Sequence, residues 1–229
     1  MTGEQRPLDA VPAWLWTLLG AALAAQIAWQ AERHAAAPRA AALPPPPSLQ
    51  ALRLASFGER EATARLSMLY LQGFEAQELD YARLVDWLGV VLELDPRSMY
   101  PLFAAARVYA EVADPARSRA ALEFVYREFL RDPNRRWPAL AHAALLAKHR
   151  LKDLPLALRY AAAIDRYTTE PGVPLWARQM QIFVLEDMNE LDAARIVIGG
   201  LLQSGRLTDP AEAAFLKQRL DELESRLHR

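Results

Sequence analysis

The sequence contains no cysteine among its 229 residues, which excludes disulfides, thiolate-ligated metal centres and a cysteine nucleophile. Glycine is also scarce, with nine residues, and no segment shows the apolar–polar alternation of a β-strand. Alanine and leucine, both strong helix formers, dominate instead, so we expect an all-α fold. The formal net charge of −1 disfavours a nucleic acid as partner.

Residues 11–31 form a stretch of 21 positions without a charge. As a helix rising ~1.5 Å per residue it would span roughly the 30 Å hydrocarbon core of a bilayer. Trp14 and Trp16 lie near one end and Trp29 near the other, where interfacial aromatic residues are found. We therefore predict an N-terminal transmembrane helix preceded by a short tail, residues 1–10. A cleaved signal peptide and a buried soluble helix are the alternatives.

Alanine and proline dominate the next segment, residues 32–50. It includes four consecutive prolines, Pro44–Pro47, which favour an extended polyproline II conformation of ~3.1 Å per residue. We expect a semi-rigid linker here, leading to a helical domain over residues 51–229.

Within that domain, apolar residues recur at helical spacing and prolines interrupt the pattern at intervals. Asp-Pro pairs at 95–96, 114–115, 132–133 and 209–210 mark boundaries, because proline cannot continue a helix. The predicted helices are about 59–74, 80–94, 98–112, 116–131, 137–151, 154–167, 174–188, 191–203 and 210–227.

The helices also repeat. The pairs Ala121-Leu122, Ala157-Leu158 and Ala193-Ala194 lie 36 residues apart, and the bulky residues Phe124, Tyr160 and Ile196 keep the same spacing. Helix–turn–helix units of about 34–37 residues are typical of an α-solenoid. The predicted repeats are roughly 98–133, 134–171 and 172–206, closed by a capping helix at 210–227 whose leucine stripe also permits a coiled-coil contact.

Two resemblances follow from these residues. The stretch from Tyr109 through Ala121 to Asp132–Pro133 resembles a degenerate tetratricopeptide repeat. The second unit, residues 142–165, is similar, with Lys152–Asp153 in place of the usual Gly-Asp hinge. The segment Leu54–Gly58 and the later Leu-Asp-Pro at 94–96 are similar to a group of membrane-anchored bacterial tetratricopeptide proteins. The resemblance implies a right-handed α-solenoid in which the first helix of each pair lines a concave face. It also favours a single-pass protein of the bacterial inner membrane with its helical domain in the periplasm.

Catalytic motifs are missing: the sequence has no G-x-S-x-G, P-loop or G-x-G-x-x-G pattern. His142 and His149 lie seven residues apart with no carboxylate between them, unlike the four-residue spacing of zinc-binding helices. We therefore expect neither an enzyme nor a bound metal or cofactor.

The hypothesis that remains is a membrane-anchored scaffold that binds another protein in a bacterial envelope complex or its assembly. A chaperone-like holder of exported or membrane clients is the alternative. Candidate partner-binding residues are large polar side chains on the predicted first helices: Arg107, His142, Lys148, Arg178 and Gln181. The cations among them favour a ligand with an acidic segment. The sequence leaves the oligomeric state open.

Overall fold

In the computed structural model the described residues are 12–35, 42–205, 207 and 209–227. All regular structure within these ranges is helical, as the composition predicts. The chain divides into two units, Met1–Ala41 and Ala42–Arg229. The predicted tail, residue 11 of the predicted anchor and residues 36–41 of the predicted linker lie outside the described residues.

The described part of the first unit, residues 12–35, contains one helix, α1, over Ala13–Ala35. Large apolar side chains such as Leu18, Ile27 and Trp29 are exposed on it. Among the helices described, none is both long enough and apolar enough to cross a membrane. That residues 11–31 cross a membrane stays a prediction.

The second unit is built from helices throughout its described part. Its α-helices are α2 Leu49–Ala55, α3 Arg60–Gln72, α4 Tyr81–Leu94, α5 Tyr100–Arg107, α6 Pro115–Phe129, α7 Pro133–His149, α8 Leu154–Tyr167, α9 Leu175–Asp187, α10 Leu191–Gln203 and α11 Pro210–Leu227, with a short 3-10 helix at Tyr109–Glu111.

The predicted boundaries of α8, α10 and α11 are confirmed. Two others need correction because proline is tolerated in the first helical turn, where its missing N–H would have no partner. Pro133 accordingly begins α7 four residues before the predicted start, and Pro115 begins α6. The predicted helix 98–112 is shorter as well, since α5 ends at Arg107 and a 3-10 turn follows.

Each helix from α3 to α11 packs against the next one along the chain. Contacts also join alternate helices: α4 with α6, α5 with α7, and α7 with α9. Stacked helix pairs produce this pattern of neighbours, because each pair covers the apolar face of the one before it.

Two apolar cores lie inside this unit. The larger runs from Leu43 to Val184, and the smaller joins α9 and α10 to α11. Leu216 and Leu223 of α11 are buried in the smaller core, and Leu220 and Leu227 pack against it. The predicted leucine stripe therefore covers α9 and α10, as expected of a capping helix.

The 36-residue register is confirmed in two units and slips in the third. Ala121 and Ala157 are fully buried, as predicted. In the third unit Ala194 is fully buried while Ala193 is only partly so, and Ile196 is 69% exposed. The buried side of α10 therefore includes Ala194 in place of the predicted Ala193, a shift of one residue.

Side-chain hydrogen bonds join positions about one repeat apart. Arg159 donates to both carboxylate oxygens of Glu123, 36 residues away, at 2.7 and 3.0 Å. The Asn134 side chain accepts hydrogen bonds from the backbone N–H groups of Thr169 and Glu170 at 2.8 and 3.2 Å. These polar contacts fix the register of neighbouring pairs, which apolar packing alone specifies less strictly.

Part of the predicted linker belongs to the helical unit. Leu43 is 2% exposed, and its carbonyl accepts a hydrogen bond from Arg83 Nη1 at 2.8 Å. The Trp87 indole N–H donates to the Pro44 carbonyl at 2.8 Å. Residues 43–47, here called the proline strap, are thus held against α4, and α2 follows at once. The linker prediction is wrong for this stretch because a polyproline segment offers free carbonyls to neighbouring donors.

Candidate partner-binding surface

The three predicted first helices, α5, α7 and α9, lie side by side. Each is buried on most of its circumference by the helices that precede and follow it, and each leaves one narrow stripe in contact with solvent. The stripes consist of Tyr100, Phe103 and Arg107 on α5, Arg135, Pro138, His142, Leu145 and His149 on α7, and Trp176, Phe183 and Asp187 on α9. We call these residues together the α5–α7–α9 face.

Two contacts tie α7 to α9 beside this face. The Trp137 and Trp176 rings meet edge to face, with centroids 5.4 Å apart. Lys148 Nζ lies 2.5 Å from Asp187 Oδ2 near the carboxyl ends of both helices. An aromatic contact and an ion pair thus hold the two stripes in a fixed relation.

The face is largely apolar. Its exposed side chains include Tyr100, Leu145, Trp176 and Phe183, which are between 39% and 54% exposed. Sequence reasoning selected only polar residues on these helices and missed the apolar ones. The available signal was their phase, since Trp176 and Phe183 lie seven residues apart on one side of α9 and Leu145 lies three residues after His142 on α7.

Arg178 and Gln181 occupy a different position from the one predicted. Both are buried, at 5% and 8% exposure. Arg178 Nη2 donates to the Glu170 carbonyl at 2.9 Å, and Gln181 Nε2 donates to Asp165 Oδ2 at 3.0 Å. Their polar groups join α9 to the α8–α9 turn and to α8, so both side chains contribute to the packing of the unit.

Lys148 is mostly buried and paired with Asp187. His142 is partly buried, and its Nε2 atom is shielded from solvent without a hydrogen-bond partner. Burial lowers the pKa of His142, the nearby Arg107 charge lowers it further, and Glu111 opposes both. Arg107 is the one exposed residue of the five. Partner binding by these residues stays a prediction.

Acidic residues cluster around the α9–α10 turn, and several of them form ion pairs within the unit. Glu186 forms an ion pair with Arg219 of α11 and has a side chain only 8% exposed. Asp187 pairs with Lys148, and Asp192 lies 3.5 Å from Arg195. Glu186 and Asp187 therefore join α9 to α11 and to α7, whereas Asp192 pairs within α10.

Within the described ranges, there is no group of three or more histidine and carboxylate side chains that could hold a metal ion. The chain was also compared with protein-family models, curated proteins and solved structures. None of the three comparisons found a match.

Proposed function

We propose that this protein is a helical-repeat scaffold that binds another protein on the α5–α7–α9 face, in a bacterial envelope complex or its assembly. The observation that carries the proposal is the row of exposed aromatic and leucine side chains on helices whose other sides are buried. Solvent-exposed apolar patches of this kind mark interaction surfaces, and aromatic residues dominate the energetics of such contacts.

The proposed architecture is a right-handed α-solenoid of tetratricopeptide-like pairs. Contacts between alternate helices, hydrogen bonds spaced by about one repeat and the capping helix α11 support it. In such an arrangement the first helices of successive pairs align and offer one extended surface to a ligand.

The chemistry of the face defines the expected ligand. Tyr100, Leu145, Trp176 and Phe183 favour an amphipathic helix or extended segment that inserts apolar side chains. The exposed Arg107 at the end of α5 favours a carboxylate at one end of that segment, through a charge-assisted hydrogen bond.

The same apolar chemistry also favours the second candidate, a chaperone-like holder of exported or membrane clients. A scaffold binds one partner at fixed stoichiometry, whereas a holder binds many clients weakly. Crosslinking in cells, followed by mass spectrometry of the proteins that co-purify with the full chain, separates the two.

The binding face is tested by Leu145→Glu combined with Phe183→Glu. We expect loss of the crosslinked partner with an unchanged melting temperature, because both side chains are exposed. Ile196→Glu is the matched control, since Ile196 is an equally apolar exposed residue on α10. Retention of the partner by the double variant places the interface elsewhere.

We further propose that residues 11–31 hold the protein at the bacterial inner membrane, with the helical unit in the periplasm. The exposed apolar side chains of α1 support membrane association. Release of the protein by carbonate washing, or a mature chain that begins after residue 30, would contradict it. An inactive alkaline phosphatase fused at Arg229 would place the helical unit on the cytoplasmic side.

A further inference from the structure

The two ends of the helical unit differ in their outward chemistry. At the C-terminal end, α11 presents mostly polar side chains to solvent: Lys217, Gln218, Asp221, Glu222, Glu224 and Ser225. At the N-terminal end, α3 presents Leu66 and Leu69, which are 65% and 61% exposed, and the half-exposed Tyr70. End elements of stacked helical arrays need a polar outer face to remain solvated alone. The N-terminal end lacks one.

The outward leucines of α3 are not needed for its packing. Ala64, Met68 and Leu71 form the buried stripe of this helix. Leu66 and Leu69 lie on the opposite side, two and five positions beyond Ala64 in a helix of ~3.6 residues per turn. They therefore expose apolar area that nothing within the described part of the unit covers.

A groove adjoins this ridge. Leu66 and Tyr70 form one wall of an open apolar groove of about 540 Å³, and Pro44, Pro45 and Pro47 of the proline strap form the other. Tyr70 is held by the rings of Phe74 and Trp87, with centroids 5.1 and 5.4 Å away. A ridge of leucine beside an apolar groove is self-complementary, because a two-fold axis places the ridge of one copy in the groove of the other.

The charges around the ridge distinguish a second copy from a lipid surface. Glu61 and Arg65 form an exposed pair 3.8 Å apart, and Glu59 and Arg60 are adjacent exposed charges of opposite sign. Because the two signs are equal in number, this rim has no net attraction to an anionic bilayer. A second copy related by a two-fold axis instead meets a balanced set of both signs, and the chain's net charge of −1 adds little repulsion.

We propose that the outer face of α3, formed by Leu66, Leu69 and Tyr70, is a two-fold interface between two copies of this chain. This interface is separate from the α5–α7–α9 face. The dimer proposal therefore does not depend on the function proposed above. The pairing buries the apolar N-terminal ends of both copies and leaves the polar α11 ends outward.

The absence of cysteine allows a direct test in the full-length protein in cells. Single variants Leu66→Cys, Leu69→Cys and Tyr70→Cys place a thiol at three neighbouring points of the proposed interface. We expect at least one of these variants to form a disulfide-linked dimer on mild oxidation. A reductant should convert that dimer back to monomer. Ile196→Cys, at a residue of similar exposure far along the chain, should give none. Equal crosslinking of Ile196→Cys, or a product with a protein of another mass, overturns the proposal.

A second measurement covers the case in which no thiol pair has disulfide geometry. The mass of the purified full chain in detergent is measured by light scattering as a function of concentration. We expect Leu66→Glu with Leu69→Glu to raise the dimer dissociation constant at least about tenfold, which corresponds to ~1.4 kcal/mol. Ile196→Glu should leave it unchanged. A wild-type chain that stays monomeric, or a dimer that the double variant leaves intact, contradicts the two-fold interface.

Discussion

Arg136 and Glu128 form a buried ion pair across the α6–α7 turn. Arg136 Nη1 lies 2.7 Å from Glu128 Oε2, and the two side chains are only 6% and 8% exposed. The same guanidinium donates to the Glu128 and Pro96 carbonyls at 2.8 and 3.2 Å. One arginine thus joins α7 to the end of α6 and to the α4–α5 turn, about one repeat earlier in the chain.

We predict that Arg136→Met destabilises the protein by about 3 kcal/mol, because it leaves the Glu128 carboxylate buried with only the more exposed Arg131 as a partner. Chemical denaturation measures the change. The control is Arg65→Met, which removes one side of an exposed ion pair and should change the unfolding free energy by less than ~0.5 kcal/mol. Equal effects of the two substitutions would contradict the structural role of Arg136.

Ala157 is fully buried on α8, where the repeat register places a small residue. Ala157→Leu should lower the unfolding free energy by ~1–3 kcal/mol, because added methylenes have no space at a close helix crossing. Ala193→Leu is the control; this partly buried position should tolerate the change better. An unchanged melting temperature for Ala157→Leu would show that the crossing is loosely packed.

Gly199 and Gly200 lie inside α10, and their pairing suggests a close helix approach. That interpretation is wrong, since a Cβ atom at either position would meet nothing within 4 Å. Gly199→Ala and Gly200→Ala should therefore each stabilise the protein by ~0.5–1 kcal/mol, through the lower helix propensity of glycine. Gly58→Ala is the contrasting control and should be destabilising, because Gly58 has a φ of +97°. Thermal denaturation of the three variants provides the comparison.

His142 should give the protein a pH-dependent stability. Its pKa in the folded state lies below the unfolded value, so the unfolded chain takes up the proton first as the pH falls. The contribution of His142 is therefore present above about pH 6.5 and lost as the pH falls further toward the folded pKa. His142→Leu should flatten the stability curve between about pH 7 and pH 5 relative to wild type. Parallel curves for wild type and His142→Leu would refute the role of burial.

The proline strap depends on the Trp87 indole. Trp87→Phe removes the donor to the Pro44 carbonyl, at a cost of ~0.5–1.5 kcal/mol, and should loosen the strap. In the cysteine-free chain, a Leu43→Cys thiol reports on this, because Leu43 is buried. We expect its reaction with a maleimide to be several-fold faster when Trp87→Phe is present. Trp176→Phe, on the α5–α7–α9 face, is the control and should leave the rate unchanged.

The sequence alone determined the helical elements and much of their order. Helix propensity and the apolar period act over a few residues, so they predict α8, α10 and α11 to the residue and the buried phase of Ala121 and Ala157. The turn at Lys152 shows the same local control. Its φ of +54° places lysine in the left-handed conformation that glycine adopts readily, where the resemblance expected a glycine.

The tertiary structure decided which polar and apolar side chains are free. Arg178 and Gln181 are indistinguishable from surface residues in the sequence, because their partners lie on a preceding turn and helix rather than within the same helical turn. The strap is similar: Pro44 becomes part of the domain only because Trp87, 43 residues later, donates to its carbonyl. Such contacts depend on the packing of whole helices, which sequence periodicity does not specify. The exposed stripes of α5, α7 and α9 form one surface for the same reason, since only helix packing places them side by side.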